Sequence, residues 1–133
     1  MDSNFINIKP TVLERSSEIK SVLLIDSNKI DIYVNCKILE LHGVAEIVSF
    51  SNVNDALSHL SDKNVKYQLI LIDIYIPVID GFEFIDKFIK QGFDKLHGEI
   101  CLLTSSINPS DKEKAIEKNV RFIEKPLTIE KLL

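Results

Sequence analysis

The stretch Tyr67-Gln68-Leu69-Ile70-Leu71-Ile72-Asp73 constrains this chain more than any other. An unbroken run of Leu and Ile ends on a carboxylate, and the chain then breaks at Pro77 and at Asp80-Gly81. Such a run reads as a strand covered on both faces, as in a parallel sheet. Ligands of open α/β sheets bind beyond the carboxyl ends of the strands. Asp73 is what this strand would present there. A strand-end Asp can equally cap the next turn, and the rest of the chain has to decide between the two.

The pattern recurs. Val22-Leu23-Leu24-Ile25 is a second short apolar strand, and it too ends on a carboxylate, Asp26. Ser27 or Asn28 can then cap a helix from about Lys29 to Leu41. Ile30, Val34, Ile38 and Leu41 fall at i, i+4, i+8 and i+11 and predict its buried face, with His42-Gly43 as its end. Residues 45–50 alternate, which suggests a strand nearer an edge. A helix follows from Asn52 or Asn54, with Ala56, Leu57 and Leu60 inward and His59 on its surface.

After the central strand, Asp80-Gly81-Phe82-Glu83 has the spacing of a helix cap, and Phe82, Ile85, Phe88 and Ile89 predict a buried stripe. Residues 98–103 form a fourth strand leading into Thr104-Ser105-Ser106. Asn108-Pro109-Ser110-Asp111 starts a mostly charged helix, with Ser110 and Glu113 as a capping pair and Ala115 and Ile116 inward. Arg121-Phe122-Ile123-Glu124 is the fifth strand, Lys125-Pro126 follows, and Thr128 opens a last helical turn reaching Leu133. Five strands alternating with helices predict an α/β fold: one doubly wound, five-stranded parallel sheet with helices on both faces. That domain covers residues 21–133, and residues 1–20 form an N-terminal arm.

Length and composition agree. A chain of 133 residues with 45% hydrophobic residues can fill one core. A net charge of -4 argues against nucleic acid as a direct partner, which needs a basic surface. No run approaches the ~18 apolar residues of a membrane helix, and no leader-like start is evident, so the expectation is a cytoplasmic protein without a membrane partner. Cys36 and Cys101 lie far apart with no CxxC, so neither zinc nor a disulfide framework is indicated. Cys101 reads as a small buried hydrophobe.

In a parallel sheet the residues that end the strands share one edge. Here they are Asp26, Asp73, Thr104 and Lys125. A carboxylate pair can hold Mg²⁺. Lys and Thr can grip phosphoryl oxygens, and Asp73 can serve as a nucleophile toward phosphorus. The bland alternative is an Asp–Lys ion pair that fixes loops.

The blocks Leu24-Ile25-Asp26, Leu71-Ile72-Asp73 with Pro77 and Asp80-Gly81, Leu103-Thr104-Ser105 and Phe122-Ile123-Glu124-Lys125-Pro126 together resemble the receiver domain of two-component response regulators. The resemblance spans about residues 21–133 and implies the flavodoxin-like, CheY-like fold. It implies that Asp73 accepts a phosphoryl group from a histidine kinase or phosphotransfer protein, that Lys125 contacts the phosphoryl group, and that Thr104 and Phe122 form a switch. Asp26, Asp73 and the backbone carbonyl of Tyr75 would hold Mg²⁺, and the Lys125–Pro126 bond would be cis. A downstream protein partner, or a homodimer, would receive the signal, because no second domain follows. No enzyme acting on an external substrate is implied.

One departure stands out. Receivers usually carry two adjacent acidic residues after the first strand, and here the second is Ser27. A hydroxyl is a weaker, neutral ligand, so Mg²⁺ affinity should fall. That leaves open a receiver that works poorly, one that works at high Mg²⁺, or a degenerate receiver acting as a binding or dimerisation module. A small aspartyl phosphatase would want an acid two residues after the nucleophile, where Tyr75 stands.

Overall fold

The computed structural model describes residues 18–105 and 108–132. Most of the expected N-terminal arm lies outside the described residues, as do Ser106 and Leu133. Five parallel strands, β1 (Ser21–Ile25), β2 (Glu46–Phe50), β3 (Leu69–Asp73), β4 (Glu99–Thr104) and β5 (Arg121–Glu124), stand in the order β2-β1-β3-β4-β5. Between and after them run α1 (Lys29–Leu41), α2 (Val53–Leu60), α3 (Gly81–Lys90), α4 (Pro109–Glu117) and α5 (Ile129–Leu132). The doubly wound sheet expected from the alternation is the fold.

Alternation along each strand divides the core in two. Leu23, Ile25, Ile70, Ile72 and Leu102 join Ala56 and Leu60 of α2, Phe84 and Phe88 of α3 and Ala115 of α4 on one face. Leu24, Leu71, Cys101 and Leu103 join Leu39 of α1 with Ile129 and Leu132 of α5 on the other. β3 is therefore covered on both sides, which is why its sequence shows no polar alternation. Its partners on either side fix the register, with Ile25 opposite Ile72 and Asp73 opposite Leu103.

Helix starts follow side-chain caps. Asn28 accepts from the amides of Ile30 and Asp31, Asn52 from Asp55 and Asp80 from Glu83, each satisfying amides that a helix leaves without partners. At α4 the cap is Asn108, which accepts from the Ser110 amide, and not the expected pairing of Ser110 with Glu113.

Helix faces needed more correction. The predicted inner face of α1 is its outer face: Ile30 is 74% exposed, Leu41 81%, and Val34 is exposed too, while Ile38 is half-buried. Asn35 and Leu39 are buried instead, with Ile32 and Cys36 packed against the core. α1 carries apolar residues on two stripes, so periodicity alone could not choose. On the observed inner side Asp31 binds Lys125 through its carboxylate. Asp31, Asn35 and Leu39 follow at i, i+4 and i+8 on that side.

In α3, Phe84 is buried, and Ile89 is half exposed. In α4, Ile116 is exposed, and Asp111 and Ala115 face inward. Ile89 and Ile116 both line an open groove of about 690 Å³ between α3 and α4. His59 is not a plain surface residue. It is half-buried, with Nε2 2.5 Å from the Tyr67 hydroxyl and its ring against Phe50.

The loop from β3 to α3 contains Val78 at φ 74°, with 93% of its surface exposed. A β-branched residue in the left-handed region is strained by roughly 1–2 kcal/mol. Since Val78 buries almost nothing in return, Val78→Gly should stabilise the protein by about 1 kcal/mol after allowing for the looser unfolded chain. Chemical denaturation checks this. Unchanged or lower stability would mean that Val78 makes compensating contacts.

Candidate functional site

Four strand ends and one helix start build the site. Asp26 follows β1, and its backbone amide donates to the Phe50 carbonyl at 3.1 Å. Asp73 ends β3, and its Oδ1 accepts from the Tyr75 amide at 3.2 Å. Thr104 ends β4 fully buried, and its carbonyl accepts from the Lys125 amide at 2.7 Å. That bond carries Lys125 from the end of β5 back over the sheet. Its ammonium donates to Asp26 Oδ2 at 3.0 Å, Asp73 Oδ2 at 3.0 Å and Asp31 Oδ2 at 2.8 Å. An ammonium has three donors, and each meets a different carboxylate.

Supporting contacts hold these groups. Lys131 of α5 donates to the carbonyls of Glu124 and Pro126, both at 2.9 Å, on either side of Lys125. The Lys125–Pro126 peptide is cis, as the resemblance implies. Gly81 lets α3 start against the strand end, because a Cβ there would lie 2.6 Å from the Asp73 carbonyl oxygen. Its amide donates to the Ile74 carbonyl at 2.8 Å.

The electrostatics are unbalanced: three carboxylates share one ammonium. Burial raises the Asp26 carboxyl above its ordinary range, against the pull of the Asn28 amide and Lys125. Burial by itself would lower Lys125, yet its bonds to Asp31, Asp73 and Asp26 outweigh that and raise it. Asp26 and Asp73 thus already bracket a cation. Two carboxylates with a carbonyl and waters are what Mg²⁺ takes from proteins, so the donor set fits that ion. Among the described residues no trio of acidic, His or Cys side chains forms a cage for a metal by itself.

Of the expected site residues, Asp26, Asp73 and Lys125 meet directly, and Thr104 is joined to Lys125 through the backbone. Tyr75 also belongs. Its amide holds Asp73, and its hydroxyl donates to Asp111 in the first turn of α4. Ser27 is exposed beside Asp26, and Phe122 is half-buried on β5 against the core of the α2, α3 and α4 face. Asp31 and Asp111 were missed. Asp31 sits five residues past Asp26 in a helix whose inner face periodicity misjudged. Asp111 was readable only as a first-turn acid of α4.

Because ionised Asp26 is disfavoured in the folded state, Asp26→Asn should stabilise the metal-free protein by about 1 kcal/mol at neutral pH. The sign follows from the raised folded pKa. Above it the folded state carries a cost the unfolded chain does not, and below the unfolded value of 3.8 the cost disappears. The gain should therefore shrink on acidification. Lys125→Met should cost about 3–5 kcal/mol by leaving buried carboxylates unpaired. Melting curves of the three proteins from pH 4 to 8 check both, and a destabilised Asp26→Asn at pH 7 would contradict the account.

Comparison with known proteins agrees with this geometry. Residues 22–133 match the family model of the response regulator receiver domain. The crystal structure of a two component response regulator from Cytophaga hutchinsonii is 38% identical and superimposes with a TM-score of 0.76, covering 86% of this chain and 91% of that one. Two-component response regulator 24 of Arabidopsis thaliana is 27% identical over 114 residues, 85% of this chain and 78% of that protein. The receiver domain of the histidine kinase CKI1 from Arabidopsis thaliana, crystallised with Mg²⁺ and BeF3-, shares the fold at 19% identity and a TM-score of 0.70, over 85% of this chain and 87% of that one. Other relatives are far longer, and the chain spans 20% of one response regulator and 10% of a hybrid histidine kinase. By the family match over 22–133 and the four strand ends that meet at Lys125, the chain belongs to the response regulator receiver domains.

Proposed function

We propose that Asp73 is the phosphoacceptor of this receiver and takes its phosphoryl group from a histidine kinase or a phosphotransfer protein. One observation carries the reading: the Lys125 ammonium binds Asp26 and Asp73 at 3.0 Å each, at the edge where parallel strands present ligand sites. A structural ion pair needs one acid. Here a buried second one is kept at a cost, as functional sites often do.

The chemistry is a transfer between two nucleophiles. An Asp73 carboxylate oxygen attacks phosphorus in line, a P–O bond forms, and the P–N bond to the donor imidazole breaks with its electrons returning to the ring. Lys125, already over Asp73, neutralises charge on the phosphoryl oxygens. Asp26, Asp73 and the Tyr75 carbonyl would hold Mg²⁺, which supplies further charge neutralisation when bound. Thr104 ends β4 one residue past Leu103, the register partner of Asp73, from where its hydroxyl would donate a hydrogen bond to the product. Tyr75, whose hydroxyl is tied to Asp111, stands two residues past Asp73, where its bulk would screen an acyl phosphate from water.

Output then passes through protein–protein contacts. Thr104 and Phe122 are the switch pair, and the movable face is α4, β5 and α5. α4 suits that role because Ala115 and Asp111 are its only buried residues, and Lys112, Glu113, Lys114 and Glu117 face solvent. Residues 21–133 form the receiver unit. The partner in this reading is a protein met in the cytoplasm, as for the histidine kinase or phosphotransfer donor.

Intact-mass measurement after incubation with acetyl phosphate should show a phosphate-sized gain that needs Mg²⁺ and is absent in Asp73→Asn. No gain at any Mg²⁺ concentration would sink the reading. Thr104→Ala should still gain the mass yet lose most of the amide chemical-shift change in α4 and β5. A full response without the hydroxyl would remove Thr104 from the switch.

A further inference from the structure

We propose that Asp31 is the positioning residue that lets Lys125 and a divalent cation occupy the acidic cup together. The Lys125 ammonium rests on Oδ2 of Asp26 and Oδ2 of Asp73. Those two carboxylates are the pair that brackets a metal. A dication between them repels the ammonium and competes for the same oxygens, so one of the two cations needs another anion nearby.

Asp31 supplies it. Its carboxylate makes the shortest of the three contacts, 2.8 Å, and comes from α1 and not from a strand end. Its side chain is 38% exposed, against 1% for Asp26 and 13% for Asp73, so it can follow a displaced ammonium without losing solvation. The helix start beneath it is fixed, because Asn28 accepts from the Asp31 amide at 3.1 Å. Without Asp31, Lys125 has only Asp26 and Asp73 to hold, the same oxygens a dication needs. Asp31, in the first turn of α1, thus keeps a grip on the ammonium while the dication takes those oxygens.

The inference rests on the cup taking Mg²⁺, but its test needs no phosphodonor. Mg²⁺ titrations by calorimetry would compare the wild type, Asp31→Asn, Asp31→Glu, Lys125→Met and the Asp31→Asn/Lys125→Met double variant. Asp31→Asn should raise the Kd roughly tenfold, an ordinary coupling between neighbouring groups. Asp31→Glu should restore it to within about threefold. With Lys125 already removed, Asp31→Asn should change the Kd by less than about threefold, because the coupling runs through the ammonium.

Three results would overturn the proposal: an unchanged Kd in Asp31→Asn, the same loss with and without Lys125, or no Mg²⁺ binding by the wild type. Should Asp31→Asn not fold, the Asp31→Glu and Asp31→Ser variants carry the comparison, with Ser expected to lose affinity and Glu to keep it. If the pattern holds while Asp73 takes no phosphate, the phosphoacceptor reading fails and this one stands.

Discussion

The structure turns on one ammonium shared by three carboxylates. Lys125 ties the end of β1 to the end of β3 and to the start of α1, through Asp26, Asp73 and Asp31. Its own position is set by the Thr104 carbonyl at the end of β4 and by the grip of Lys131 on the carbonyls of Glu124 and Pro126. Every element that delivers a group to the site is thus held by a bond leading to or from Lys125. Buried ion pairs generally contribute little net stability, because desolvation offsets the attraction. A site with one more buried acid than it needs is therefore organised for chemistry and not for stability.

The same edge concentrates other locally unfavourable choices. Val78 is held at positive φ with almost nothing buried in return, four residues from Ile74, where α3 closes on β3 through Gly81. Strain and crowding next to an acidic cup are common where a fold must keep reactive groups in place. Opposite them, Tyr75 spans from the backbone beside Asp73 to Asp111 in α4. Tyr75 therefore joins the carboxylate of Asp73 to the first turn of α4. The ion pair of Lys118 with Asp86, at 2.6 Å, joins the far end of α4 to α3, with the Asp86 carboxylate largely in solvent, which limits its strength.

Much of this was legible in the sequence because strands and strand ends leave local marks. The apolar run into Asp73, its repeat into Asp26 and the Lys125-Pro126 block each follow from alternation and turn residues within a few positions. Helix rotation leaves no such mark when a helix is apolar on two sides. α1 has Ile30, Val34 and Leu41 on one stripe and Ile32, Cys36 and Leu39 on the other, and the stripe that packs on the core is the one that also brings Asp31 to Lys125. Ile89 and Ile116 misled for a related reason. Each extends an apolar pattern past the reach of the sheet, into the groove between α3 and α4. Asp31 was invisible as a site residue because it lies on a helix, and its proximity to Asp73 is a property of the fold.

The central claim is that Asp73, among the acids gathered around Lys125, carries the phosphoryl group. Hydride reduction of the phosphorylated protein converts an acyl phosphate on Asp to homoserine, and peptide mass mapping then locates it. The account predicts one converted residue, Asp73, with Asp26 and Asp31 unchanged. Conversion at either of those, or a phosphoryl group found on another side chain, would contradict it.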